Sequence, residues 1–214
     1  MQMQYKQKVL QVDMESRTFP VMADSLLKGR VRSSAVTDAA LIALFAVVTA
    51  GSAQISIPLP FTPVPLTLQT FAVLLTGAAL GARRGMLSML VYLAIGALGA
   101  PAFAGGASGA SRLFCPSGGY LLSYPFVAAL IGMLASRGWD RSRGNMACAL
   151  LLGSAVTYTF GVLWLSRFVG GVGPAVMKGM LPFIPGDLLK LAAASLLIPG
   201  GWALTERIQK RSQL

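Results

Sequence analysis

Six near-continuous apolar stretches divide this chain: Val36 to Ala53, Leu66 to Ala82, Gly85 to Ala100, Tyr120 to Ser136, Asn145 to Phe168 and Asp187 to Leu204. Each approaches the roughly 20 residues that an α-helix needs to cross a bilayer. The second and third are short, so they either tilt little or draw adjoining loop residues into helix. Repeated Gly and Ala within the stretches suit close helix contacts in lipid. The pattern predicts an all-α integral membrane protein with six transmembrane helices. Residues 1–34 form an N-terminal tail, 35–206 the membrane domain and 207–214 a C-terminal tail.

Composition agrees. Of 214 residues, 55% are hydrophobic and 12% charged, and the mean hydropathy is +0.67, values that belong to a membrane protein rather than a soluble domain. Lys and Arg accumulate in cytoplasmic loops. With the N-terminus inside, that side receives Lys6, Lys8, Arg17, Lys28, Arg30, Arg32, Arg83, Arg84, Arg137, Arg141, Arg143, Arg207, Lys210 and Arg211. Arg112, Arg167, Lys178 and Lys190 are left for the outer side. Both termini are therefore expected to be cytoplasmic. The net charge of +11 is scattered between apolar spans and accompanies no nucleic-acid motif, so topology and contact with anionic lipids account for it. The first 34 residues lack the apolar core of a secretory signal. They read as a cytoplasmic tail, with disorder and mistranslated upstream sequence both open.

The stretch Pro182-Phe183-Ile184-Pro185-Gly186-Asp187-Leu188-Leu189-Lys190 places a carboxylate and an amine at the start of the last apolar segment. As helix, the two side chains lie at i and i+3 on one face. A lone charge in the hydrocarbon region costs roughly 2.5 to 3.5 kcal/mol on insertion scales, so such residues face a cavity or a partner. Asp187 falls near a helix N-terminus, where free N–H groups favour a carboxylate. The default reading is a functional site near the outer face; the alternative is an ion pair that anchors the helix end.

Two outer loops carry further signals. Pro58, Pro60, Pro63 and Pro65 make a stiff, extended segment unable to form helix, either a pocket cap or a plain connector. The loop from Gly99 to Tyr120 is rich in glycine, which lets main chain approach a ligand and suits a mobile lid. Arg112 is its one charge, a partner for an anionic ligand or a side chain snorkelling to the interface. Cys115 lies in this loop and Cys148 in the fifth span, so no disulfide is expected between them. No metal-ligand spacing occurs.

The order of these stretches resembles the BioY family, the biotin-specific substrate-binding components of energy-coupling factor (ECF) transporters. The resemblance covers about residues 36 to 204. It rests on Pro65-Leu66-Thr67-Leu68-Gln69-Thr70-Phe71, on the run from Tyr92-Leu93-Ala94-Ile95-Gly96-Ala97 to Phe103-Ala104-Gly105-Gly106, on the Pro116-Ser117-Gly118-Gly119-Tyr120 turn and on Pro182 to Lys190. The usual family turn is Gly-Pro-Thr-Gly-Gly-Tyr; here Cys115 stands at the first position and Ser117 keeps the hydroxyl. The resemblance implies capture of biotin at the outer face of a bacterial or archaeal plasma membrane. It implies Asp187 and Lys190 as binding residues, with Gln69, Tyr92, Tyr120 and Ser117 behind them. It further implies a transmembrane coupling protein and two ATPase subunits as partners.

Biotin carries a ureido ring, a thioether ring and a carboxylate. On chemical grounds Asp187 would accept ureido N–H groups, Lys190 would donate to the carbonyl or support Asp187, and Arg112 would meet the carboxylate. Phe61, Phe71, Tyr92 and Phe103 are candidates to enclose the apolar rings. Ala35, Ala39 and Ala43 form a small-xxx-small face. The resemblance assigns it to the coupling protein, and internal packing is the alternative.

Other functions fare less well. The chain has no histidine, which excludes His-based acid–base catalysis and most zinc sites. Gly106-Ala107-Ser108-Gly109-Ala110 is no convincing nucleophile elbow, and a serine–lysine dyad is the remaining route to an intramembrane enzyme. No phosphate-cradling loop occurs; the chain is expected to bind no cofactor, and ATP would be used by partner subunits. A stand-alone transporter is the alternative within transport.

Overall fold

The computed structural model describes Phe19, residues 22–27 and residues 35–211, with side chains described as far as Trp202. Most of the predicted N-terminal tail, and residues 212–214 of the C-terminal one, lie outside these residues. The described chain is nearly all helix: α1 (Met22–Leu27), α2 (Ala35–Gln54), α3 (Gln69–Ala97), α4 (Gly118–Ser136), α5 (Arg143–Val169), α6 (Val172–Gly179) and α7 (Ile184–Arg211). The one sheet among the described residues pairs β1 (Ser56–Ile57) antiparallel with β2 (Leu66–Thr67). Five helical runs are long and apolar enough to cross a membrane.

The second and third expected spans are the two limbs of α3, and the turn between them lies at Gly81. Its φ of 80° and ψ of 178° fall in a region open essentially to glycine alone. The chain reverses there. A Cβ on Gly85 would stand 3.2 Å from the Cα of Gly77, whereas eight residues of straight helix rise about 12 Å. The side chains of Gln69 and Tyr92, at the far ends of the two limbs, hydrogen-bond to each other at 2.6 Å. Thus α3 is a hairpin of limbs 69–80 and 82–97, and the six apolar stretches appear as six helical segments.

The hairpin forms the centre of the bundle. It shares its largest interface with α4, and α2, α7 and α5 pack around it. Small residues make the α3–α4 approach: a Cβ on Gly77 would lie 2.6 Å from the carbonyl oxygen of Ala128, and one on Gly132 would collide with the main chain of Gly81 and Ala82. The principal core runs through Val73, Met89, Tyr92, Tyr124, Ile131 and Leu150. At one end of the bundle, Arg84 pairs with Asp24 of α1 at 2.6 Å and with Asp38 of α2 at 2.8 Å. There too Trp202 donates to Asp140 at 2.5 Å, and the Arg141 guanidinium lies 4.4 Å from the Trp202 ring centre. The loops that approach Asp187 lie at the opposite end.

Two departures concern that opposite end. The glycine-rich stretch after α5 contains α6, absent from the six expected segments. The last helix begins at Ile184 rather than Asp187, after a 3₁₀ turn at Leu181–Phe183; Pro185 fits because the first helical turn needs no N–H from it. Asp187 stays in the first turn.

Replacing Gly81 by Ala should cost about 1–3 kcal/mol at this backbone conformation. For a chain of this length that lowers the melting midpoint by about 2–12 °C. Thermal unfolding of the purified protein in detergent measures it, and an unchanged midpoint would contradict the hairpin turn.

Candidate ligand-binding site

A cavity of about 210 Å³ opens between the proline-rich hairpin, the glycine-rich loop and the first turns of α3, α4 and α7. Each wall has a local cause. The β1–β2 pairing, Ser56 opposite Thr67 and Ile57 opposite Leu66, folds the proline-rich segment back so that Pro63, Val64, Pro65 and Leu66 face the cavity. The glycine-rich loop adopts positive φ at Gly105, Gly106 and Gly109, and Phe103 turns inward against Gly96. Any side chain at Gly96 would occupy the Phe103 ring. The Gln54 amide donates to the carbonyls of Pro101 and Phe103 at 3.2 and 3.4 Å, which ties this loop to α2. Trp164 donates to the Cys115 carbonyl at 3.0 Å and ties the loop's end to α5.

Polar groups converge at two places. The first is Gln69, 3% exposed. Its amide N–H donates to Tyr92, and its oxygen accepts from Tyr124 and Thr67, each at 3.2 Å. The three hydroxyls hold the amide rigidly and leave one of its two N–H groups unassigned. The second is Asp187, whose side chain is 15% exposed. Lys190 donates to its Oδ1 at 2.9 Å and Tyr158 donates to its Oδ2 at 2.5 Å. Lys190 also donates to the Thr67 carbonyl at 2.8 Å and to the Thr70 hydroxyl at 3.0 Å. All three ammonium protons are thereby taken.

The structure brings most of the sequence-predicted site residues to this cavity. Asp187, Lys190, Gln69, Tyr120, Ser117, Arg112 and Phe103 all line it. Tyr92 stands behind, fully buried, where it supports Gln69 and meets the Phe103 ring edge-on at 5.7 Å. Tyr120 places its ring on Gly161 and donates to the Gly179 carbonyl at 2.7 Å, so α6 braces it. Phe61 is exposed and Phe71 packs on the core; neither lines the cavity. Cys115 and Cys148 are both free. Ala35, Ala39 and Ala43 lie on the exposed face of α2.

Sequence reasoning passed over Tyr124, Tyr158, Thr70, Thr157 and Phe183, all of which line the cavity. The tyrosines sit within apolar helices, where an aromatic reads as packing. The usable signal was the Thr157-Tyr158-Thr159 triplet in an otherwise apolar α5.

A helical membrane bundle with a partly open, mostly apolar cavity at one end and two fixed polar groups lining it has the features of a small-molecule site. It has the form of a membrane solute-binding protein. Comparison with known proteins gives the particular lineage: residues 22–207 match the BioY family, and the chain belongs to it. It is 41% identical over 160 residues to the probable biotin transporter BioY of Pyrococcus horikoshii, covering 75% of this chain and 93% of that protein. It is 37% identical over 158 residues to the biotin transporter BioY of Thermotoga maritima, covering 72% and 89%. The fold aligns with a crystal structure of the S-component for biotin from an ECF-type ABC transporter, with TM-score 0.69, 27% identity and coverage of 85% of this chain and 95% of that one.

The buried pair makes an energetic prediction. Lys190→Met strands a carboxylate that is mostly screened from solvent, and removing one partner of a buried pair costs about 3–5 kcal/mol. The double change Asp187→Asn with Lys190→Met should be milder than Lys190→Met alone. Melting midpoints of the two purified variants test this; an equal or lower midpoint for the double variant would refute it.

Proposed function

We propose that this protein is a biotin-capturing S component that takes the vitamin from the outer side of the membrane and delivers it inward with an energy-coupling module. The observation that carries the reading is the pairing of an apolar cavity with two fixed polar groups of opposite sense, in a chain of the BioY family. Asp187 is an acceptor for a ureido N–H, and the spare N–H of Gln69 is a donor for the ureido carbonyl. Lys190 has no proton left for the ligand in this arrangement, so its task is to hold the Asp187 side chain in place. Arg112 lines the cavity, is exposed, and has no side-chain partner among the described residues; it suits the valerate carboxylate. Phe103, Phe183 and Tyr120 enclose the ring system, and Ser117 contributes a hydroxyl at the mouth.

Both termini are placed in the cytoplasm. Arg83, Arg84, Arg137 and Arg141 then gather on the inner side, while the cavity faces outward with few basic residues, as the distribution of charge in membrane loops requires. The chain is a transport subunit rather than an enzyme. The coupling partners are a transmembrane protein, which docks on the exposed Ala35, Ala39 and Ala43 face, and two subunits that hydrolyse ATP. Small residues there let a partner helix approach closely.

Calorimetric titration of the detergent-purified protein with biotin, against thiamine and riboflavin as controls, tests the assignment. Selective nanomolar binding is expected. Asp187→Asn should weaken it about ten- to a hundredfold, the effect of losing a charge-assisted hydrogen bond of about 1.5–3 kcal/mol. Failure of folded parent protein to bind biotin would overturn the reading.

The docking face has its own test. Ala39→Trp should leave biotin affinity unchanged and reduce co-purification with the coupling protein. A complex formed in normal yield would move the interface elsewhere.

A further inference from the structure

We propose that Tyr158 is a positioning residue: its hydroxyl, by donating to Oδ2, fixes the Asp187 carboxylate in the orientation that receives the ligand. The proposal rests on the biotin reading above for the identity of that ligand, and on geometry for the rest. Asp187 is reached by donors from two sides. Lys190 approaches Oδ1 from the same helix, three residues on, and Tyr158 approaches Oδ2 from α5 at 2.5 Å. An aspartate has two rotatable bonds, and a donor on one oxygen alone leaves the other free to swing. Donors on both oxygens define the plane of the carboxylate, and each oxygen retains a lone pair for the cavity.

The neighbouring hydroxyls do not substitute. Thr157 and Thr159 donate to the carbonyls of Gly153 and Ala155 within their own helix, at 3.1 and 2.8 Å. Within this triplet Tyr158 alone is seen to cross to α7. Its ring is half-buried against the cluster of Val64, Tyr120 and Phe183, so Phe at this position keeps the packing and removes only the hydroxyl. A phenol also suits the task better than a second cation. It donates to the carboxylate without adding charge, so the Asp187–Lys190 pair stays neutral and no net charge is presented to a neutral ureido ring.

The test is a double-mutant cycle read as biotin affinity, with Tyr158→Phe, Asp187→Asn and the pair, each shown by its melting midpoint to be folded. Tyr158→Phe is expected to weaken binding about five- to thirtyfold in the parent and less than twofold in the Asp187→Asn background. A residue that served packing alone, or that touched the ligand independently, would weaken both backgrounds by the same factor, and that result overturns the proposal. So does an unchanged affinity for Tyr158→Phe. If the parent binds no biotin the functional reading fails by itself. The positioning proposal is then decided by the same cycle in ligand-free melting midpoints, as it is if Asp187→Asn binds too weakly to titrate: additive midpoints overturn it, and a Tyr158→Phe effect that vanishes with Asn at 187 upholds it.

Discussion

The ammonium of Lys190 is the constraint around which this end of the molecule is organised. A cation removed from water needs every proton matched, and its three acceptors come from three different segments: the Asp187 carboxylate on α7, the Thr70 hydroxyl on the first limb of α3, and the Thr67 carbonyl in β2. Thr67 is in turn paired with Ser56 across the short sheet. One charge therefore sets the position of the proline-rich hairpin, the start of the α3 hairpin and the first turn of α7. The proline-rich segment has few N–H groups with which to hold itself, so a lysine that grips a carbonyl supplies what its own sequence lacks.

From that arrangement follows a division of labour inside the cavity. Gln69 and Asp187 both line it, and each is held by several partners: Tyr92, Tyr124 and Thr67 for the amide, Lys190 and Tyr158 for the carboxylate. Groups fixed in advance lose little entropy when a ligand arrives, which raises affinity without enlarging the contact area. The remaining walls are largely apolar, so a polar group brought there without a partner carries a desolvation penalty.

How much of this could be read from the chain alone varied with the kind of signal. Six apolar segments were legible because a helix that crosses lipid needs about 20 consecutive apolar residues, and Asp187 and Lys190 stood out because charge is costly there. The two limbs of the α3 hairpin were legible as separate spans because Arg83 and Arg84 interrupt the apolar run; that a single glycine, Gly81, makes the reversal was not, since the signal there is a backbone conformation rather than a loop. Helix α6 was hidden because Gly170, Gly171, Gly173 and Gly179 resemble a loop in sequence, although Gly179 is where the Tyr120 hydroxyl closes against main chain. Tyr124 and Tyr158 were missed for a different reason. An aromatic in an apolar helix is usually packing, and only the position of another helix reveals what its hydroxyl meets.

The charged pair can be weighed against the plainer reading of an ion pair that anchors a helix end. An anchoring pair gains most at the interface, where water solvates whatever the partner does not, and surface pairs contribute about 0–1 kcal/mol. Here both side chains are about 85% screened, the lysine is saturated by two additional oxygens, and the carboxylate carries a second donor from a different helix. Buried pairs are often matched or exceeded in stability by apolar residues of similar volume. A structure that screens this pair so fully, and then leaves the carboxylate facing a cavity beside Thr157, Tyr158 and Phe183, gains little in stability over a plain apolar contact. What the arrangement does provide is an acceptor fixed by donors on both oxygens and largely screened from water, where a hydrogen bond is stronger than it would be at the membrane surface.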